Sequence, residues 1–245
     1  MNADVSVAAI ILAAGSSSRF LQQSSPLSGG IKKEFCSLGA STVLASSVSA
    51  FAAVSSIQTI VIAVAENTED AARAALPADY PAARKPRILF VNGGKTRRAS
   101  VFNALSLIAG SSASSAADNP RYVLIHDGAR PWVSSRLIEN IIEAVKKHNA
   151  VIPVVAPADT PKELEDKDER SDVFIKKHMK RCNLWLAQTP QAFKFPEILH
   201  AHEKAALADE EFTDDAEIWG GFCGKVAAIP GEKENKKITF AEDLA

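Results

Sequence analysis

Short apolar runs alternate along the chain with stretches whose apolar residues recur at helical spacing. An unbroken apolar run is typical of a strand buried on both faces of a sheet. Such runs predict strands at Val7–Ala14, Thr59–Ala65, Arg87–Val91, Tyr122–Ile125 and Val151–Val155. Helical spacing predicts helices at Thr42–Val54, Asn67–Leu76, Thr96–Ile108, Ser134–His148, Pro196–Leu207 and from Asp214. This alternation predicts an α/β fold, with a mainly parallel sheet flanked by helices on both faces.

Two stretches break the alternation. Residues 109–118 are small and polar, which predicts a surface loop. Residues 162–181 carry dense charge around a small apolar island at Val173–Ile175. The charge pattern favours a solvated loop, but a hairpin arm that docks on another subunit would account for the island, so both readings stay open. Two more short strands are predicted near Val226–Ile229 and Lys237–Phe240, and Asn67 is placed to cap the second helix.

Composition narrows the class of protein. The chain has 245 residues, of which 47% are hydrophobic, and a net charge of -1, which does not favour a basic surface for nucleic acid. No apolar run approaches the roughly 20 residues of a membrane span, and no cationic stretch opens a signal peptide. The cysteines are three and widely spaced, so neither a disulfide framework nor a zinc site is expected. We therefore expect a cytoplasmic protein with no membrane partner.

The loops that follow three of the predicted strands carry the candidate chemistry. In an open parallel sheet, ligands bind beyond the carboxyl ends of the strands. The loop at 13–19 (AAGSSSR) has small residues that let backbone N–H groups approach a phosphate, followed by Arg19. The loop at 93–100 (GGKTRRAS) adds a cationic cluster, and the loop at 126–131 (HDGARP) adds Asp127 and Arg130.

Taken singly, each loop has an ordinary structural explanation. The first would be a tight turn, Lys32 and Lys33 would be surface lysines, and Asp127 with Arg130 would be a structural ion pair. Three such loops together predict an anionic ligand that carries more than one phosphate. The pattern is neither GxGxxG nor a Walker loop, and no Ser-His-Asp, Cys-His or HExxH arrangement is visible.

Eight motifs in order point to a known family. They are AAGSSSR at 13–19, KEF at 33–35, GGKTRRASVFNAL at 93–105, HDGARPWV at 126–133, APADT at 156–160, QTPQAF at 188–193, TDDA at 213–216 and NKKIT at 235–239. With them the chain resembles the 2-C-methyl-D-erythritol 4-phosphate cytidylyltransferases of the non-mevalonate isoprenoid pathway. It departs from the family pattern at Ser17, Lys32 and Lys95, and residues 21–31 form a longer loop than is usual.

The resemblance implies a single Rossmann-like nucleotidyltransferase domain over residues 1–245. A protruding arm within about 157–182 would build a homodimer, which favours the hairpin reading of the charged stretch. The implied reaction joins CTP to methylerythritol phosphate and releases pyrophosphate. Mg²⁺ would bridge the CTP phosphates with few direct protein ligands, and no residue of this chain is assigned to the metal.

The resemblance also implies a role for each matched residue. The catalytic cations would be Arg19 and Lys33, which stabilise the transition state, with Arg181 and Lys237, which position the substrate phosphate. The groups that hold cytosine and ribose would be Ala13, Ala14, Gly15, Ser16, Gly94 and Ser100. The methylerythritol pocket would be lined by Asp127, Arg130, Thr160 and Thr189. Thr160 and Arg181 flank the arm, so they are expected to reach the partner's site.

The chemistry of such a reaction suits this set of residues. The nucleophile is a phosphate monoester, whose second pKa is about 6, so it is ionised at neutral pH without a general base. The protein must supply alignment and countercharge. The nearest alternative is a pentitol-phosphate enzyme, such as one acting on ribitol 5-phosphate. Weaker alternatives are a non-catalytic nucleotide-binding domain and an NAD-binding dehydrogenase.

Overall fold

A computed structural model describes residues 6–23, 31–76, 86–111, 119–165, 172–208 and 211–244. Three predicted features are therefore covered in part. Residues 24–30 of the predicted 21–31 loop, 112–118 of the predicted 109–118 loop and 166–171 of the predicted arm lie outside the described residues.

The strands and helices alternate along most of the chain. The strands are β1 (Val7–Ala13), β2 (Ser37–Leu38), β3 (Ser41–Thr42), β4 (Ile57–Val64), β5 (Arg87–Asn92), β6 (Tyr122–Asp127), β7 (Ala150–Val155), β8 (Lys162–Leu164), β9 (Ile175–His178), β10 (Leu186–Ala187), β11 (Gln191–Lys194) and β12 (Ala227–Pro230). The helices are α1 (Ser18–Gln23), α2 (Val43–Ala52), α3 (Glu69–Ala74), α4 (Arg97–Ser111), α5 (Ser135–His148), α6 (Phe195–Leu207) and α7 (Asp215–Phe222).

The main sheet has the strand order β10-β7-β11-β6-β1-β4-β5, and β12 pairs with β7. Strand β1 runs parallel to both neighbours, so that Ile10 lies opposite Val61 on β4 and Ile125 on β6. Strand β11 runs antiparallel between β6 and β7. The prediction of a mainly parallel sheet is confirmed, and the carboxyl ends of β1, β4, β5 and β6 meet at one edge.

Two hydrophobic cores lie on opposite faces of this sheet. Successive residues of β1 point to alternate faces, so Ala9 and Ile11 join one core while Ala8 and Ile10 join the other. Helices α2 and α5 cover the first face, and α4, α6 and α7 cover the second. Both faces are therefore covered by helices, which is why the central strands are apolar throughout.

Helix starts follow the capping residues in two cases and differ in a third. Thr42 caps α2 by accepting from Ala45 N at 3.1 Å, and Ser134 caps α5 by accepting from Leu137 N at 3.0 Å. The prediction that Asn67 caps the next helix is wrong. Asn67 has a left-handed φ of 60° in the preceding turn, and Thr68 holds the N-cap position of α3.

Two features of the C-terminal third differ from the sequence prediction. The prediction of a strand at Lys237–Phe240 is wrong, because this segment pairs with no other strand. Its Ile238 N donates instead to Ala129 O, in a turn, at 2.8 Å. The short antiparallel strands β10 and β11 were not predicted, since runs of two and four residues carry little periodic signal.

The charged stretch contains an antiparallel hairpin of β8 and β9, in which Lys162 pairs with His178. The structure therefore has a hairpin in the stretch for which the sequence allowed either a solvated loop or a hairpin arm. The role of this hairpin in dimerisation stays a prediction. The extent of the domain, residues 1–245, also stays a prediction. Within the described ranges, none of the helices has both the length and the apolar character needed to cross a bilayer.

Candidate active site

One cavity of about 560 Å³ opens at the carboxyl ends of β1, β4, β5 and β6. Polar and charged groups from five segments of the chain line it, as is usual at the switch point of an α/β sheet. Among the described residues, the charged groups in its wall are six cations and two carboxylates: Arg19, Lys32, Lys33, Lys95, Arg97, Lys237, Glu34 and Asp127. This excess of positive charge makes the cavity a site for a polyanion.

The loop after β1 is tied to the segment that follows residue 31. Ser17 has a left-handed φ of 54°, which turns the chain into α1. Its hydroxyl donates to Glu34 Oε2 at 3.2 Å, and Lys32 Nζ donates to the carbonyl oxygen of Gly15 at 3.1 Å. The two segments are 17 residues apart in sequence, so these bonds hold one side of the cavity together.

Lys33 and Glu34 lie in a 3₁₀ turn, Lys33–Phe35, at the cavity wall. The ammonium of Lys33 donates to the carbonyl oxygen of Ile238 at 2.8 Å. Partial burial lowers the pKa of Lys33 below its usual value, with Lys237 and Arg19 adding to the effect, while Glu34 and Asp127 oppose it. Burial raises the pKa of Glu34, which is only 3% exposed, although the charge of Lys33 opposes that change.

Asp127, at the end of β6, gathers three cations. Its Oδ2 lies 2.9 Å from Lys237 Nζ and 3.4 Å from Arg130 Nε, and its Oδ1 lies 3.8 Å from Arg97 Nε. Burial alone would raise the pKa of this carboxyl, but Lys237, Arg97 and Arg130 hold it well below its usual range. Asp127 is therefore ionised, and it orders the cations on its side of the cavity.

A buried hydrogen-bond chain lies behind Asp127. The backbone N of Asp127 donates to Thr189 Oγ1 at 3.0 Å, and this hydroxyl in turn lies 3.0 Å from His126 Nδ1. His126 Nε2 lies 3.2 Å from the carbonyl oxygen of Arg130. Because a carbonyl can only accept, we assign the ring proton to Nε2 and the hydroxyl proton to the bond with Nδ1. Burial lowers the pKa of His126 to about 4, so a neutral ring fixes the turn from 127 to 130.

The segment that carries Lys237 is fastened to the same turn. Asn235 is fully buried, and its Nδ2 donates to the carbonyl oxygen of Thr189 at 2.8 Å. Arg130 Nη1 donates to the carbonyl oxygen of Asn235 at 2.8 Å, and Ile238 N donates to Ala129 O. Lys237 therefore faces Asp127 from a rigid loop rather than from a strand.

The loop before α4 packs closely on its neighbours. Gly94 N donates to Ser100 Oγ at 3.0 Å. A Cβ on Gly94 would collide with the Cβ of Ala99, and one on Gly93 would collide with the Cβ of Ala14. Glycine is required at Gly93 because the loops after β1 and β5 approach closely there, and at Gly94 because its loop packs against the first turn of α4. Gly94 and Ser100 line the cavity.

A comparison with protein families identifies the family to which this chain belongs. The model described as IspD: 2-C-methyl-D-erythritol 4-phosphate cytidylyltransferase matches residues 7–245. The chain belongs to the IspD family. The resemblance inferred from the eight motifs is thereby confirmed.

Individual members of the family are similar over almost the whole chain. The bifunctional enzyme IspD/IspF of Bartonella henselae is 36% identical over 244 residues, which are 98% of this chain and 55% of that protein. This chain spans about half the length of the curated relatives it matches. The crystal structure of 4-diphosphocytidyl-2C-methyl-D-erythritol synthase from Anaerococcus prevotii is similar with a TM-score of 0.78 and 29% identity, covering 98% of this chain and 93% of that one.

A two-function relative also has a solved structure. The bifunctional IspDF of Campylobacter jejuni is similar with a TM-score of 0.71 and 26% identity, covering 98% of this chain and 53% of that one. The fold of the IspD portion is therefore the same in one-function and two-function relatives.

Nine of the residues predicted from the IspD motifs line the cavity. They are Ala14, Gly15, Ser16, Arg19, Lys33, Gly94, Ser100, Asp127 and Lys237. Ala13 is the buried last residue of β1, and Arg130 and Thr189 stand behind Asp127 with the contacts described above. The motifs thus bring together residues from five segments that are far apart in sequence.

Thr160 and Arg181 lie apart from this cavity, at the foot of the β8–β9 hairpin. Both are exposed, and Arg181 Nη1 donates to the carbonyl oxygen of Ala158 at 3.0 Å. Neither belongs to the cavity wall of its own chain. That position agrees with the expectation that they serve a partner's site, which stays a prediction.

Several cavity residues had no predicted role. Arg97 was quoted only as part of a cationic loop, and Glu34 only as part of the KEF motif. Thr239 joins Lys237 in the wall of the cavity. The signal for Arg97 was its place in the first turn of the helix predicted at Thr96–Ile108, where a cation is unfavourable without a carboxylate partner.

The described residues do not form a protein-held metal site. Within these ranges, no three His, Cys, Asp or Glu side chains come together as metal ligands do. Of the two carboxylates in the cavity wall, Asp127 is engaged by three cations and Glu34 is buried and bonded to Ser17. The cavity is built to receive negative charge rather than to hold a bare cation.

Proposed function

We propose that this chain transfers the cytidylyl group of CTP to 2-C-methyl-D-erythritol 4-phosphate, forming CDP-methylerythritol and pyrophosphate. Membership of the IspD family supports this reaction. The observation that carries it is the cavity itself, in which six cations face two already engaged carboxylates at the ends of the central strands. Such a site favours the meeting of two phosphate esters that would repel one another in water.

The substrate phosphate is the nucleophile in this reaction. One of its oxygens attacks the α-phosphorus of CTP, a new P–O bond forms, and the bond to the β,γ-pyrophosphate breaks with the electron pair leaving on pyrophosphate. The attacking oxygen is already ionised, so no side chain needs to remove a proton. Arg19 and Lys33 lie where they would neutralise charge that builds on the α-phosphate and the leaving group.

The remaining wall of the cavity divides between the two substrates. The close-packed loops of Gly15 and Gly94, with Ser100, would hold the cytosine and ribose of CTP. Lys237 would bind the phosphate of methylerythritol phosphate, and Asp127 would accept hydrogen bonds from its hydroxyl groups. Because Asp127 and Lys237 contact each other, the two ends of this substrate would be recognised by one rigid unit.

CTP is expected to bind as its magnesium complex. Magnesium is held in many such sites by phosphate oxygens and water with few protein ligands. The ion would neutralise part of the triphosphate charge. Arg19, Lys33 and Arg97 would supply the rest from the protein side.

We further propose a homodimer formed through the β8–β9 arm. Among the described residues, six of the nine large apolar side chains that are exposed lie between residues 164 and 186: Leu164, Val173, Phe174, Ile175, Trp185 and Leu186. An exposed apolar group of this size is typical of a protein interface. In such a dimer, Thr160 and Arg181 would reach the partner's cavity.

The three cysteines are unpaired, which suits the reducing cytoplasm in which we place the enzyme.

A comparison of acceptor substrates tests the proposed function. We expect rapid release of pyrophosphate from CTP with methylerythritol phosphate, and slower release when ribitol 5-phosphate is the acceptor. Faster turnover with ribitol 5-phosphate would assign the chain to the pentitol-phosphate enzymes. Tight CTP binding without pyrophosphate release from either acceptor would make it a non-catalytic nucleotide-binding domain.

A further inference from the structure

A buried polar cluster adjoins the cavity on the face covered by α4, α6 and α7. His202 on α6 and Asp215 on α7 have no exposed side-chain surface. His202 Nε2 lies 3.2 Å from Asp215 Oδ1, and Arg97 Nη1 lies 2.7 Å from Asp215 Oδ2. The cluster therefore runs from the interior of the protein to a side chain in the cavity wall.

A cluster of polar and charged side chains such as this one is costly to bury. The same core is otherwise made of apolar side chains such as Phe193, Ile218 and Trp219. Replacing a buried ion pair by apolar groups is often neutral or stabilising, so a buried carboxylate calls for a function beyond stability. Burial opposes ionisation of Asp215, but Arg97 and His202 outweigh it and lower its pKa, and its place in the first turn of α7 adds to the effect.

Arg97 needs such a partner because of where it stands. It is the first residue of α4, and the positive end of a helix dipole repels a cation there. Its side chain is 31% exposed and lines the cavity, with Nε 3.8 Å from Asp127 Oδ1. The guanidinium thus bridges a carboxylate of the core and a carboxylate of the cavity. Its Nη1 is in close ion-pair contact with Asp215, whereas the longer distance to Asp127 is an electrostatic contact only, so the group is held mainly from the side of Asp215.

We propose that Asp215 and His202 are positioning residues, which hold the guanidinium of Arg97 at the cavity wall as a fixed cation for the phosphates of CTP. His202 acts on one carboxylate oxygen of Asp215 and so turns the other toward Arg97. The identity of the bound phosphates rests on the proposed function. The positioning itself does not, because it is a property of the ligand-free protein.

The first test measures the order of Arg97 without any ligand. In protein labelled with ¹⁵N-arginine, a held guanidinium gives a protected Nε–H resonance, which the Arg97→Lys variant identifies by its loss. We expect Asp215→Asn and His202→Gln to shift and broaden this resonance. Glu217→Gln is the matched control, because Glu217 lies on the same helix but bonds Thr213 and should leave the resonance unchanged. An unchanged resonance in Asp215→Asn would overturn the proposal.

The second test is a double-mutant cycle on the dissociation constant of CTP, measured by calorimetry. Arg97→Gln should weaken binding about tenfold because it removes a charge-assisted contact to the phosphates, and Asp215→Asn should do the same because it leaves Arg97 without the partner that positions it. The double variant should be weakened about tenfold as well, since Asp215 acts through Arg97. Multiplied losses of about a hundredfold would overturn the proposal. Should Asp215→Asn unfold, His202→Gln takes its place in the cycle with the same two outcomes.

The two tests separate this inference from the proposed function. A wild-type protein that binds CTP but transfers nothing to methylerythritol phosphate contradicts the function, while the cycle still decides the role of Asp215. If the wild-type protein binds no CTP, the part of the proposal that makes Arg97 a cation for the phosphates of CTP is overturned. The ligand-free resonance then decides whether Asp215 positions Arg97.

Discussion

The ammonium of Lys33 donates a hydrogen bond of 2.8 Å to the main-chain oxygen of Ile238, across 205 residues of sequence. Ile238 follows Lys237, whose own ammonium lies 2.9 Å from Asp127. One bond therefore joins the two sides of the cavity and sets the spacing of two proposed catalytic cations. Both lysines are held by the protein before any ligand arrives, as catalysis by preorganised charge requires.

Removal of either cation that we propose for the transition state, Arg19 or Lys33, should abolish most of the proposed activity. We expect Arg19→Ala and Lys33→Ala to slow turnover at least about 100-fold, by analogy with the loss of one fixed donor from an oxyanion hole. Pyrophosphate release measures the rate, and circular dichroism checks the fold. Lys146→Ala serves as the control, because Lys146 pairs with Glu143 on the exposed face of α5. Rates close to wild type in the first two variants would remove them from the mechanism.

A methyl group on Gly94 should damage the nucleotide site. The new Cβ would collide with Ala99 and push the loop away from the start of α4. We expect Gly94→Ala to raise the KM for CTP by about tenfold or more, because a small displacement of a binding loop is costly. The control is Gly110→Ala near the end of α4, where a Cβ meets no atom within 4 Å, so its KM should stay at the wild-type value. Equal KM values for both variants would contradict the close approach.

The buried ring of His126 should make stability depend on pH. The unfolded chain takes up a proton near pH 6.5, whereas the folded ring does so only near pH 4. Protons then favour the unfolded state, so the free energy of unfolding should fall by up to about 1.4 kcal/mol per pH unit as the pH drops through this window. Urea unfolding of wild type and His126→Asn at pH 7, 6 and 5 measures the difference. The same pH dependence in both proteins would show that the ring is accessible to protons.

Charge placed on the arm should separate the proposed dimer. Phe174 is 62% exposed and stands beside β9, where burial in a partner would account for its apolar surface. We expect light scattering at micromolar concentration to give a dimer mass for the wild type and a monomer mass for Phe174→Asp. Leu207→Asp is the matched control, since Leu207 is 90% exposed at the end of α6 and away from the arm. A monomeric wild-type protein would refute the proposed dimer.

The fold and much of the candidate site could be read from the sequence for one physical reason. Strands buried on both faces are apolar throughout, and the carboxyl ends of parallel strands meet at one edge. The loops that follow β1, β5 and β6 therefore had to converge, and their residues Gly15, Gly94 and Asp127 line one cavity. The local sequence pattern was enough to predict these site residues, because the parallel topology of the sheet brings the loops together.

Other parts of the site depend on contacts between distant segments, which leave no periodic signal. Lys237 was placed on a strand, whereas hydrogen bonds to the turn at 127–130 hold it in a loop. The contacts from His202 through Asp215 to Arg97 join three helices, and the spacing of these residues in the sequence does not predict them. The sequence by itself determined the order of strands and helices and which loops carry charge. The tertiary structure alone decided which charges face one another, because the energy of a charged group is set by its neighbours in space.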